Sequence, residues 1–208
     1  MYDYLGRAAD RRRREPGDDL LSRLVAEDAE IRLETDELLT NCVFLLAAGH
    51  ETTVQVLGTG IRALLQDGAA WQELVADPAK VPAAVDELLR WEAPIQITFR
   101  DVLEDTEIAG VPLRAGQQVG TILGAANRDP ERFPDPDRLL VTRADALAHT
   151  SFSGGIHFCI GAALARMEGR IALEEALARF PNWRVDHDAA VRLHTSTVRG
   201  WINVPVSA

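Results

Sequence analysis

Residues 152–161, Phe152-Ser153-Gly154-Gly155-Ile156-His157-Phe158-Cys159-Ile160-Gly161, join a glycine-rich loop to a helix-forming run that begins at Ala162. Gly154, Gly155 and Gly161 strip side chains from the neighbourhood of Cys159, so a flat, bulky group can approach the backbone there. A lone cysteine is most often a small buried hydrophobe. At the start of a helix, however, a thiolate feels the helix's positive end, which lowers the thiol pKa. Loop N–H groups directed at the sulfur would tune a metal held by it. Zinc is a poor candidate, because it takes four ligands and only His149 lies near His157 and Cys159.

On the C-terminal side, residues 162–180 read as a helix with Leu164, Met167 and Ile171 at 3–4 spacing, stopped by Pro181. On the N-terminal side, residues 127–136 are rich in Pro and Asp and should be irregular. Residues 95–122 break into short strand-like runs, ITFR, TEIAG, VPLRAG and QQVGTIL, separated by turn residues. Helices are expected over 71–76 and over 82–91, the latter with Pro82 at its first position. Thr35 can cap a long helix over 35–65, with Asp36 and Glu37 in the first turn and Asp67-Gly68 ending it. About 30 residues would span roughly 45 Å. Its middle, CVFLLAA at 42–48, is apolar on every side and should be buried all round. The polar run Gly49-His50-Glu51-Thr52-Thr53 follows without a break, which is unusual inside a buried helix. Residues 2–14 form a polar helix ending in a cation cluster, stopped by Glu15-Pro16-Gly17. Asp18 and Asp19 then start a short helix with Leu20, Leu21, Leu24 and Val25 as its apolar positions. Strand-like runs close the chain near 183–185 and 201–206. The fold class is mostly α with a small β component.

The loop resembles the haem-binding signature of the cytochrome P450 family: a Phe, a Gly three later, a Cys four after that, and a Gly two further. Ser153 stands where many members have glycine. The resemblance implies that Cys159 is the axial thiolate ligand of haem iron, that His157 bonds a haem propionate, and that Phe152 packs beside the ligand. Gly155 and Gly161 keep the loop open. Ala47-Ala48-Gly49-His50-Glu51-Thr52-Thr53 is similar to the family's oxygen-binding motif. By that likeness Ala48 and Gly49 make room beside the helix backbone, through a local bulge, and Glu51 with Thr52 organises proton delivery. The plain reading of the same residues is an ordinary helix in which Glu51 pairs with a cation and Thr52 bonds back to a carbonyl. His50 is read as structural. Glu87-Leu88-Leu89-Arg90 is a common helical spacing in itself. In the family, Glu87, Arg90 and an arginine for which Arg143 is the best match form a buried structural network. Arg100, at the end of ITFR, matches an arginine that binds a propionate, and its plain reading is a surface arginine in a sheet. Residues 95–98 and 195–198 resemble substrate-contact segments.

The likeness runs through essentially the whole chain in family order and covers the C-terminal half of the family's fold (residues 1–208 as its haem-binding part, with the N-terminal half absent). Apolar surface would then be open to a separate N-terminal half or to self-association. The resemblance implies haem b, a small organic substrate, and electrons from NAD(P)H through a ferredoxin-type or flavodoxin-type donor. The activity it implies is a haem-thiolate monooxygenase, or the catalytic half of one. The Glu51–Thr52 pair favours that over a peroxide-using relative. A haem-binding or interaction domain without turnover, and a non-functional fragment, stand beside it as alternatives.

Composition narrows the classes. The 208 residues are 47% hydrophobic and 26% charged, ordinary values for a folded domain. The formal net charge of −10 disfavours nucleic acid or an anionic membrane as partner, despite the arginines at 11–14. No run approaches the roughly 20 apolar residues of a membrane span, and the N-terminus lacks a secretory apolar region. Two cysteines cannot make a disulfide scaffold. The expected location is the cytoplasm.

Overall fold

A computed structural model of the chain describes residues 1–26, 33–66 and 68–208. They fall into two units, Met1–Glu51 and Thr52–Ala208. In the first, helix α1 (Tyr2–Arg14) carries Arg11 to Arg14 in its last turn, where cations complement the carbonyl end of the helix. Asp19 caps α2 (Leu20–Val25) by accepting the Ser22 N–H at 2.8 Å, and Arg12 Nε donates to Asp19 at 2.6 Å. Leu5, Ala9, Leu38 and Cys42 make a small core, with Leu21, Leu24 and Val25 against it.

Helix α3 (Thr35–Gln66) runs for 32 residues and carries the boundary between the units. Thr35 is its first helical residue rather than its cap. The Glu37 carboxylate reaches back to accept the Glu34 N–H at 2.9 Å, so the capping interaction forms one residue earlier. Asp67 lies outside the described residues. The stretch at 42–48 departs from the expected all-round burial. Cys42 is buried, whereas Phe44 is 63% and Leu46 54% exposed. Only the stripe through Leu38 and Cys42 meets the core of its unit, because α1 and α2 cover one side of the helix. The backbone stays α-helical through Gly49 and Glu51, without the expected bulge.

The second unit packs the end of α3 with α4 (Ala69–Ala76), α5 (Val81–Trp91) and α7 (Ala162–Arg179). Leu64, Trp71, Leu74, Val85, Leu88 and Leu173 lie at the centre of the core. Pro82 sits at the second position of α5, not the first, and α4 begins two residues earlier than the apolar pattern implies. Gly169 brings α7 against α5: a Cβ there would stand 3.1 Å from Val85 Cγ1. The buried side of α7 is Ala162, Gly169, Leu173, Ala176 and Leu177. Leu164, Met167 and Ile171, the stripe that its spacing picks out, are 52%, 48% and 47% exposed.

Among the described residues the β component is four antiparallel two-stranded ribbons. Strand β1 (Thr98–Asp101) pairs with β4 (Gln118–Thr121), and β2 (Thr106–Ile108) with β3 (Val111–Leu113). The QQVGTIL run therefore splits, and Leu123 opens the one-turn helix α6 (Leu123–Ala126). Strand β5 (Arg184–Val185) pairs with β8 (Val206–Ser207), and β6 (Val191–Leu193) with β7 (Gly200–Asn203). The sequence reading misses β6, although it finds β2 and β3, which are equally short. The β6–β7 ribbon is fastened to α3 by Gln55, whose Oε1 accepts the Trp201 N–H at 2.8 Å. The Gln55 carboxamide occupies the space a Cβ at Gly200 would need. Gly200→Ala is therefore expected to destabilise the chain by about 1–3 kcal/mol through overpacking. Calorimetry would read this as a lowered Tm, and an unchanged Tm would mean that Gln55 swings away at no cost.

Candidate functional site

The cysteine loop closes on itself. The Cys159 N–H donates to the Phe152 carbonyl at 2.9 Å, and the Phe158 N–H to the Gly155 carbonyl at 3.1 Å. The Cys159 carbonyl accepts the Ala162 N–H at 3.2 Å, joining the loop to the start of α7. The Cys159 side chain is exposed. A Cβ built on Gly161 would meet Sγ at 3.9 Å, so the sulfur lies against the beginning of the helix. Gly155 has φ +60, and nothing lies within 4 Å of a Cβ at Gly154 or Gly155. His157 ends the 3-10 turn Gly155–His157 and is exposed. Around them Ile156 is 98%, Phe158 56% and Ile160 88% exposed. The result is an open apolar surface with a thiol in it.

Ser153 takes a left-handed backbone, φ 60, and its N–H donates to the Thr150 carbonyl at 2.7 Å. Only glycine adopts that conformation without penalty. Ser153→Gly is expected to stabilise the protein by up to about 1 kcal/mol, the relief of strain exceeding the added unfolded-state entropy. Urea unfolding checks it. A lowered midpoint would show that the contact from Arg100 to Ser153 outweighs the strain.

That contact is the second element of the site. Arg100, half-buried on β1, donates from Nη2 to Ser153 Oγ at 3.4 Å and from Nη1 to the Phe99 carbonyl at 2.8 Å. The β1–β4 ribbon thereby carries a guanidinium to the rim of the cysteine loop. The two segments likened to substrate contacts also meet: Ile95 bridges Val198, and the Gln96 N–H donates to the Thr197 carbonyl at 3.1 Å.

Helix α5 anchors the irregular segment that precedes the loop. Glu87 and Arg90 are 0% and 1% exposed. Arg90 Nε donates to Glu87 Oε2 at 2.7 Å and Nη2 to Oε1 at 2.9 Å. Arg143 Nε reaches both Glu87 oxygens at 3.1 Å. The remaining guanidinium N–H groups are taken by main-chain carbonyls. Arg90 Nη1 serves Asn127 at 2.8 Å and Pro136 at 2.9 Å, and Arg143 Nη1 serves Pro134 at 2.7 Å. Residues 127–143 have no strand ladder to satisfy their carbonyls, so two buried arginines do it instead.

Sequence reasoning missed a second buried cluster beside this one. Asp86 Oδ1 accepts from His149 Nε2 at 3.2 Å and from Arg166 Nε at 2.7 Å. Burial alone would raise the Asp86 carboxyl, but the hydrogen bonds from His149 and Arg166 outweigh it and hold the pKa below its ordinary value. Asn127, wholly buried, accepts the Thr150 N–H at 2.7 Å and donates to Ser151 Oγ at 2.7 Å. An Asp beside the Glu of a helical pair and an Asn in a Pro-rich stretch carry no periodic signal. Their burial comes from long-range packing alone.

On α3, Ala48, Gly49 and Glu51 are exposed and Thr52 is half-buried. The structure thus brings Cys159, His157, Phe152, Gly155, Gly161 and Arg100 to one locality, and sets Glu51 beside Thr52 on one helix. Among the described residues, no helix is long and apolar enough to cross a membrane.

A family profile described as cytochrome P450 matches residues 79–204. The 6-deoxyerythronolide B hydroxylase of Saccharopolyspora erythraea is 44% identical over 210 residues, covering 99% of this chain and 52% of its own. Cytochrome P450 107B1 of the same organism is 45% identical over 188 residues, covering 89% of this chain and 46% of its own. Among solved structures, a mutant of P450 EryK in complex with erythromycin B matches with TM-score 0.93 at 41% identity, over 100% of this chain and 54% of that one. The chain spans about half the length of the curated relatives it matches.

Proposed function

Since the chain belongs to the cytochrome P450 family, we propose that it is the haem-binding, C-terminal part of a haem-thiolate monooxygenase. The observation that carries this reading is the cysteine loop: an exposed sulfur against the start of α7, ringed by open glycine backbone and apolar side chains. The donor set suits haem. Cys159 would be the thiolate ligand, a soft donor appropriate to iron. Arg100 and His157 would take the propionates, the guanidinium by paired hydrogen bonds. Gly155 and Gly161 would leave room for the ring, with Phe152 beside the ligand. Bound haem would supply the activation of dioxygen and the insertion of one oxygen atom into a small organic substrate.

The chain's own residues would supply the rest. The Thr52 hydroxyl can pass a proton onward and the Glu51 carboxyl can replace it. Ala48 and Gly49 keep that part of the helix surface free of bulk. Ile95 and Val198, bridged across two segments, would form an apolar wall for substrate. Glu87, Arg90 and Arg143 would act as supports. Electrons would come from NAD(P)H through a ferredoxin-type or flavodoxin-type donor, in the cytoplasm. A second reading is haem binding without turnover by these 208 residues alone, the matched part being about half of the relatives' length.

The test is a carbon monoxide difference spectrum of the reduced, haem-supplied chain. A strongly red-shifted Soret band is expected. No haem uptake, or an unshifted band, overturns the reading. A red-shifted band without oxidation of any substrate under any electron donor would favour the second.

A further inference from the structure

The Asp86 cluster touches the cysteine loop through one residue. Phe152 is buried, and its ring lies 5.4 Å from the His149 ring by centroids, with the Arg166 guanidinium carbon 4.7 Å above it. Both neighbours are tied to the same Asp86 oxygen, one from the root of the loop and one from α7. His149 is fixed further, because its Nδ1 accepts the Ser151 N–H at 3.1 Å. Nδ1 is therefore the unprotonated nitrogen, and Nε2–H points at Asp86. The carbonyl of the clamped Phe152 then receives the Cys159 N–H. Through His149 the line from Asp86 to the loop is buried, with Asp86 7%, His149 9% and Phe152 8% exposed, while Arg166 closes the other side from a partly exposed position.

We propose that Asp86, His149 and Arg166 are positioning residues for Cys159, clamping the Phe152 ring from two sides so that its carbonyl fixes the cysteine backbone. The assignment rests on the haem reading only for what the cysteine holds. α5 then has two separate duties on adjacent residues. Glu87 secures the segment at 127–143, and Asp86 secures the loop and α7. A buried carboxylate suits the second task because it can accept from two donors on different elements at one oxygen.

The test compares the full chain with Asp86→Asn and with Arg166→Met. The second variant keeps an unbranched stem over Phe152 and sits at a partly exposed position, so it should fold even if the first does not. Amide hydrogen exchange is read at Cys159 and at Leu140, whose N–H donates to Glu87 at 2.9 Å and reports the neighbouring network. Exchange at Cys159 is expected to rise at least about tenfold with Leu140 unmoved, the mark of a local opening. Equal acceleration at both amides, or none at Cys159, overturns the proposal. In the haem-loaded protein the variants are expected to move part of the red-shifted carbon monoxide band to the unshifted position. If the unsubstituted chain itself lacks the red-shifted band, the haem reading fails while the exchange result still decides the clamp.

Discussion

Cys159→Ser is expected to abolish the red-shifted Soret band of the reduced, carbon monoxide-bound haem complex, while Cys42→Ser leaves it in place. The two thiols differ in every respect that matters for ligation. Cys159 is exposed, lies at the N-terminal end of an 18-residue helix, and has glycine backbone around it. A sulfur there is open to a ligand and has room beside it for a planar group. Cys42 is packed with Leu5, Ala9 and Leu38, and burial pushes its thiol up from the ordinary value. It stays a neutral thiol at pH 7, and its loss costs packing alone. Serine at 159 fills nearly the same volume at an exposed site, so unfolding should move little. A hydroxyl is a hard, weakly acidic donor, and iron would lose the electron donation that shifts the band. The measurement is the difference spectrum of each variant beside its urea midpoint. An unshifted midpoint with an unaltered band in Cys159→Ser would remove the central assignment.

Glu87→Gln is expected to cost about 3–5 kcal/mol of stability, a large share of the roughly 5–15 kcal/mol available to a domain. The carboxylate faces two guanidiniums whose side chains are 0% and 4% exposed. Without its charge, both cations stay buried among carbonyl dipoles with no counter-ion. Arg90→Lys is expected to be nearly as costly, since one ammonium cannot serve Glu87, Asn127, Pro136 and Arg138 together. The internal comparison is Glu174→Gln on α7. Its partner Arg170 lies 3.9 Å away with both side chains more than a third exposed, and an exposed pair contributes below about 0.5 kcal/mol. Equal losses in Glu87→Gln and Glu174→Gln would show that the buried network is not what holds residues 127–143 in place.

Local patterns were enough for the elements whose signal is short-range. Arg11 to Arg14 before Glu15-Pro16-Gly17 end α1, Asp19 caps α2, and a glycine-rich run leads into α7. The spacing of Phe152, Gly155, Cys159 and Gly161 was legible because it resembles the family's haem-binding signature within ten consecutive residues. Strand β6 was not, although the equally short β2 and β3 were. Periodicity does not by itself say which apolar residues are covered. Leu164, Met167 and Ile171 have ideal spacing yet stand open, while Gly169, an unremarkable letter, is where α7 meets α5.

By itself, then, the sequence carried the likeness to the family in a short signature around Cys159, and residue type with near-neighbour spacing determined the helical framework on either side of it. Tertiary structure alone decided that Arg100 reaches the loop at Ser153, 53 residues away, and that Asp86 reaches His149 and Arg166, 63 and 80 residues away. A buried charge is tolerated only where distant elements bring it partners, and no local pattern records which partners those will be.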